Sequence, residues 1–254
     1  MKPLVPVAPG AKVALGIAFF VLFVAVWSLA TFGGFVSKTF LADPLQMLRS
    51  GWLLLTEMGF GHDIAMTVWR VLGGFVIAAG LALPLGVAMG AYKPVEAFFE
   101  PFVSFARYLP ASAFIPLLIL WAGIGESQKL AVIFIGSFFQ LVLMIAVVVG
   151  NTRRDLVEAA YTLGSSDASL VKRVLIPGAA PEIAEILRMV LGWAWTYVIG
   201  ASSGIGHMIT DSQALLATDQ IIFGIIVIGV IGLVSDLAFK ALNRKLFPWA
   251  QLGR

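Results

Sequence analysis

Six long apolar runs separated by short polar segments give the chain the pattern of a membrane-spanning helical bundle. The runs cover residues 13–35, 64–91, 102–122, 130–150, 183–202 and 221–242. Each offers about 20 weakly charged residues, the length an α-helix needs to cross a hydrocarbon core of roughly 30 Å. Backbone N–H and C=O groups in lipid must be satisfied internally, so runs of this length predict helices rather than open sheet. The alternating polar and apolar segments of an outer-membrane barrel are absent.

The second run is longer than a perpendicular crossing requires, so either it tilts or its first turns lie in water. Pro84 predicts a kink within it. Between the first two runs, residues 41–61 mix Leu, Met and Trp with few charges, and Asp43-Pro44 has the form of a helix start. A short interfacial helix on the outer face is expected there. With no repeat of 20 to 50 residues and no long linker, residues 1–254 are expected to form a single membrane domain.

Composition supports the lipid assignment: 60% of residues are hydrophobic and 12% are charged, with a mean hydropathy of +0.97, too apolar for a soluble globule. The formal charge of +3 is spread over loops without an aromatic-basic stripe, so membrane lipid is the expected partner and nucleic acid is not. The absence of cysteine excludes disulfides and thiolate chemistry. The first run follows Lys2 and Lys12 without a convincing small-residue cleavage site and reads as a retained span, with a signal peptide as the alternative. Lys2, Lys12, Lys93, Arg153, Arg154, Lys172, Arg173, Lys240, Arg244, Lys245 and Arg254 fall on one side of the spans. Lys38, Arg49, Arg70 and Lys129 fall on or near the other. The positive-inside rule then puts both termini and residues 151–181 in the cytoplasm.

That cytoplasmic segment is a polar island. Asp155 and Glu158 lie near the start of a run of good helix formers, where carboxylates oppose the positive end of the helix dipole. Gly164 is placed to end the helix in a left-handed cap. Ser165 or Ser166 can cap a second short helix with Asp167 in its first turn, and Pro177 is expected to follow that helix's end. Ala159, Ala160 and Gly164 give the island a small-residue face and a fixed turn.

Glu158-Ala159-Ala160, three residues, Gly164, nine residues and then Val174-Leu175-Ile176-Pro177 resembles the EAA loop of bacterial ABC-importer permeases. Thr67 to Phe75, Pro84 to Gly90, Arg107 to Leu117 and Trp121 to Glu126 are similar to the nitrate, sulfonate, taurine and bicarbonate permeases, so the resemblance covers nearly the whole chain. It implies a six-span, all-α type I ABC importer permease with a cytoplasmic coupling helix, in a bacterial inner membrane. It further implies a cytoplasmic ABC ATPase dimer, a second permease subunit, expected to be a second copy of this chain, and an external or periplasmic solute-binding protein. Glu158, Ala159, Ala160, Leu163, Gly164 and Pro177 would then couple to the ATPase. The chain has no Gly-x-x-x-x-Gly-Lys-Ser/Thr loop, so ATP and Mg are expected on the partner, no cofactor on this chain, and no enzymatic chemistry within it.

A pathway for small anions such as nitrate, a sulfonate, taurine or bicarbonate needs hydrogen-bond donors without trapping charge. Candidates are Arg107, Tyr108 and Ser112, where Pro110 and Pro116 break the third span; Ser137 and Gln140 on the fourth; and Trp193 and Trp195 on the fifth. Each also has a structural reading: interfacial snorkelling for Arg107, an interhelical hydrogen bond for Ser137 and Gln140, and packing or a membrane-interface belt for the tryptophans. Arg70 reads as an anchor or salt-bridge partner. His207 with Asp211 reads as a loop contact rather than a metal site. Gly16, Gly80, Gly86 and Gly90 read as points of close helix approach.

One segment departs from the family pattern. Related permeases place an Ala-Glu pair between the fifth span's aromatic stretch and a Gly-aliphatic-Gly turn. Here Trp195 to Ile199 runs straight into Gly200 to Gly206, so the acid is missing and the interval is short. Residues 183–199 would span only about 25 Å as a helix, which puts Gly200 to Ser203 at membrane depth or thins the bilayer. Readings from other classes are a self-sufficient channel or secondary transporter, which calls for buried ionisable pairs or inverted halves, and a nontransporting scaffold that uses the island for docking.

Overall fold

Prolines open five of the helices, because at the first or second helical position the missing N–H would have had no intrahelical partner anyway. The computed structural model describes residues 7–198 and 203–251. Its helices are α1 (Pro9–Phe32), α2 (Pro44–Thr56), α3 (Phe60–Ala91), α4 (Lys93–Ala106), α5 (Ile115–Ala122) and α6 (Glu126–Gly150). After these come α7 (Arg154–Thr162), α8 (Asp167–Leu170), α9 (Ile176–Ala194), α10 (Ile205–Ala214) and α11 (Thr218–Leu246). No strand occurs among the described residues. Two compact units are present, one within Met1–Gly61 and Met208–Val227, the other within His62–His207 and Ile228–Arg254.

In the first unit, α2 starts where the sequence places it. The Asp43 carboxylate accepts the Gln46 amide at 2.8 Å and the Lys38 ammonium at 2.9 Å, capping an otherwise orphan donor. Both bonds favour the charged form, so the carboxyl sits below its ordinary value, the Gln46 amide contributing most and Lys38 next. Trp27 ties α1 to this turn by donating to the Ala42 carbonyl at 3.0 Å. The apolar side chains of α1 are exposed along its length, as a lipid-facing helix requires.

The second unit is organised by α3 and α6. A Cβ added to Gly74, Gly86 or Gly90 would lie 2.9 Å from Ile133, 2.8 Å from Ile145 or 2.6 Å from the Ala146 carbonyl. Glycine therefore lets the two backbones approach closely, as small residues do between membrane helices. Gly86 and Gly90 meet the expectation of close approach, whereas Gly16 and Gly80 face open space. The helix α9 joins this core through Ile183, Ile186, Val190 and Leu191.

Four described helices, α1, α3, α6 and α11, are individually long and apolar enough to cross a membrane. The expected third span is not one helix: α4 and the segment Ala111–Ala122 meet at 84°. Pro110 supplies no N–H, and the residue before it is steered away from helical backbone, so the chain turns there. The expected fifth span is also shifted. Its helix begins at Ile176, carries Glu182, Glu185 and Arg188, and tightens into a 3-10 turn at Trp195–Tyr197. Residues 199–202, with most of the departure from the family pattern, lie outside the described residues, as do residues 1–6 and 252–254 at the termini. Pro84 is accommodated inside α3, and His207 lies in α10 rather than in a loop.

Candidate functional site

The polar island is built as a helix, a fixed turn and a second helix. Its first helix, α7, closes with paired bonds: the Gly164 amide donates to the Tyr161 carbonyl at 2.9 Å, and the Ser165 amide to the Ala160 carbonyl at 3.0 Å. This is the Schellman arrangement, which satisfies the last carbonyls and needs a left-handed residue after the cap. Gly164 provides it, with φ of 81°. Ser166 caps α8 by accepting the Ser169 amide. The Tyr161 hydroxyl donates to the Asp167 carboxylate at 2.9 Å and braces the turn. That bond, more than desolvation, raises the Tyr161 pKa above its ordinary value. At the other end of α7, Arg153 pairs with Asp155 and lowers its carboxyl pKa.

The two faces of α7 are unlike. Ala160 is buried in the core of the second unit together with Leu170 and Leu175, whereas Leu163 is 86% exposed. Glu158 and Ala159 are exposed beside it. The expected stop before Pro177 is absent. Helix α8 widens into a π turn, Val171–Leu175, and runs directly into α9 with Pro177 in its first turn. A proline near a helix start costs no hydrogen bond, and a π turn rearranges the carbonyls that precede it.

A second cluster was only partly legible in the sequence. On α3, Asp63, Thr67 and Arg70 lie one above another at helical spacing. Asp63 accepts the Gly204 amide at 2.7 Å, Thr67 accepts the Ile205 amide at 3.0 Å, and Arg70 donates to the Ser203 carbonyl at 2.6 Å. From α6, Glu126 takes two bonds from the same guanidinium, at 2.6 and 2.7 Å, and one from Lys129 at 2.8 Å. Arg70 and Lys129 are both buried. They border a cavity of about 30 Å³ with Gln128 and Tyr197, room for about one water. Charges this deep persist because each is paired. The salt-bridge role expected for Arg70 is what the structure shows; Glu126 was not foreseen as its partner, nor Lys129 as the second cation on that carboxylate.

The other candidate residues do not gather into one site. Arg107 lies at the break after α4, exposed, bonded to the Tyr108 hydroxyl at 2.7 Å and stacked on its ring. Ser112 is exposed, Gln140 half-buried and Trp193 exposed. Ser137 and Trp195 are buried in the second unit, and neither the Ser137 hydroxyl nor the Trp195 indole N–H has a partner. The interhelical bond expected for Ser137 is therefore not made. Tyr197 packs over Gly136, with its hydroxyl donating to that residue's carbonyl at 3.3 Å. Among the described residues, no group of three metal-ligating side chains converges.

Comparison with known proteins gives this architecture a family. Residues 80–248 match the model for the inner membrane component of binding-protein-dependent transport systems. The taurine transport system permease protein of Escherichia coli is 31% identical over 248 residues, 94% of this chain and 90% of that protein. A putative aliphatic sulfonates transport permease protein of Bacillus subtilis is 32% identical over 232 residues, 89% of this chain and 84% of that protein. Among solved structures, an inward-facing form of the MetNI methionine ABC transporter shares the fold with a TM-score of 0.57 at 20% identity, covering 83% of this chain and 99% of that one. The chain therefore belongs to the binding-protein-dependent transport system inner membrane components and is a multi-pass permease subunit of the ABC-importer type.

Proposed function

We propose that this permease passes a small oxyanion, with an organic sulfonate such as taurine as the leading substrate, and that the island at 151–181 receives the motion of a cytoplasmic ATPase. The carrying observation is the two-sided α7: Ala160 anchors it in the core while Leu163 stands out beside Glu158 and Ala159 on a turn held by Gly164. An exposed leucine on a rigid turn suits insertion into a cleft of another subunit. In this reading both termini are cytoplasmic, two permease subunits pair as copies of this chain, and an external binding protein delivers the solute. ATP and Mg belong to the ATPase, and residues 1–254 act as one membrane domain. The sulfonate class is supported by the two relatives above, permeases of a taurine and an aliphatic sulfonate transport system.

Within the second unit, Ser137 and Trp195 are the pathway candidates that the geometry favours. Both carry an unpartnered polar group at a buried position. Neutral donors can meet an oxyanion in another conformation without holding it as tightly as a buried cation would. Reconstitution tests the whole reading. Uptake of labelled taurine into proteoliposomes should require this chain, the ATPase, the binding protein and ATP together, and flux through the purified chain alone would overturn it. Leu163→Asp should leave membrane insertion intact while abolishing co-purification of the ATPase.

A further inference from the structure

An apolar groove of about 710 Å³ opens on the second unit where the C-terminal end of α3, the N-terminal end of α9 and the C-terminal end of α11 come together. Its deep wall is formed by Leu83, Ile183, Leu187 and Phe239, and its polar residues are Tyr92 just past α3, Lys172 in the π turn before α9 and Asn243 in the last turn of α11. From Tyr92 to Leu83 the wall rises about 14 Å along α3, close to half of a hydrocarbon core of roughly 30 Å. The groove thus has the depth of one leaflet.

Charge at the mouth is one-sided. Lys172 is the single charged residue in the lining, and Lys172, Arg173 and Lys245 form no ion pair among the described residues. Of the acids on α9 and α11 that flank this wall, Glu185 bonds Arg188 and Asn243, and Asp236 bonds Arg188 and Lys240, while Glu182 is not part of the lining. An unneutralised cation above an apolar slot one leaflet deep matches an anionic phospholipid, acyl chains in the slot and phosphate at the ammonium. A transported oxyanion is a poor fit, because the deep lining offers it no donor.

We propose that this groove is a binding site for an anionic phospholipid of the leaflet on the island's side of the membrane, held by Lys172 at its mouth. Lys172 belongs to the π turn that leads from α8 into α9, so the lipid would bear on the segment joining the island to the bundle. The inference depends on the chain spanning a bilayer and is independent of which solute it carries.

The test uses the purified permease in mixed micelles with dioleoylphosphatidylglycerol or dioleoylphosphatidylcholine, read by native mass spectrometry and thermal unfolding. The expected result is a retained phosphatidylglycerol adduct and greater protection by that lipid than by phosphatidylcholine. Lys172→Gln, an exposed change, should weaken phosphatidylglycerol binding about fivefold, as removal of one cation near a membrane surface does, and leave phosphatidylcholine binding unchanged. Ala184→Phe should fill the slot and remove both adducts. Equal protection by the two lipids, or an unchanged preference in Lys172→Gln, would overturn the proposal. Spontaneous crosslinking of Ala184→Cys between two copies of the chain would also overturn it, showing that a second copy covers the groove.

Discussion

Arg70 on α3 and Glu126 on α6 face each other in a two-point bond, Nε and Nη2 of one to the two carboxylate oxygens of the other, at 2.6 and 2.7 Å. Arg70 is buried, while the Glu126 side chain is 47% exposed. Loss of one partner from a fully buried pair costs roughly 3–5 kcal/mol, and exposure on the Glu126 side puts this pair at about the lower end. Glu126→Gln should therefore lower the melting temperature in detergent. The double change Arg70→Met with Glu126→Gln should cost less than the sum of the two single changes, as coupled neighbours do.

Gly164 is held at φ of 81° by the Schellman turn. Forcing a side chain into left-handed backbone costs about 1–2 kcal/mol, and asparagine tolerates that region better than alanine. Gly164→Ala should loosen the island and reduce ATP-driven uptake, while Gly164→Asn should retain more of it. Both proteins should insert normally, and uptake normalised to inserted permease ranks them.

At Gly90 a Cβ would stand 2.6 Å from the Ala146 carbonyl and 2.7 Å from Val149. The obstruction includes rigid backbone of α6, so α3 must shift away from it. Gly90→Ala should destabilise by about 1–3 kcal/mol, the usual cost of overpacking, despite alanine's better helix propensity. The same change at Gly80, which faces open space, should be neutral or mildly stabilising. Paired unfolding curves in detergent would separate the two.

Asp43 contributes a pH dependence of definite sign. Its carboxyl is lowered from the ordinary 3.8 by the Gln46 amide and then by Lys38. A group depressed in the folded state stabilises fully above its unfolded value, and that contribution fades as pH falls through the lowered one. The melting temperature should drop on acidification below about pH 4, and Asp43→Asn, which keeps a capping oxygen, should flatten that part of the profile. The two profiles should converge at the acid end.

The sequence made the island legible because its signals are local: a glycine after a helical run, serines before an aspartate, and a spacing that one segment carries whole. The start of α2 at Asp43-Pro44 was readable for the same reason. What escaped depends on packing between distant segments. The partnership of Arg70 with Glu126 and Ser203, with Lys129 on the same carboxylate, joins segments that no window contains together; the signal that could have marked it is the spacing of Asp63, Thr67 and Arg70 on one helical face of an apolar span. The break after α4 was signalled by Pro110, but its 84° angle was not. The continuation through Pro177 was missed because a proline can open a helix as readily as follow one, and only the π turn at Val171–Leu175 decides which.

That π turn changes what the island is mechanically. From Asp167 to Ala194 the chain is uninterrupted helix, about 40 Å long, with the Gly164 cap near one end and the Trp195–Tyr197 turn at the other. It is a pushrod rather than a tethered knob. In the proposed coupling, a displacement delivered beside Leu163 passes the Gly164 turn and then runs along helix to the buried Trp195, and its compliant coils are the wider winding at Val171–Leu175 and the turn at Pro181, where the ladder lacks an N–H; there travel at one end can be taken up as a change of register at the other.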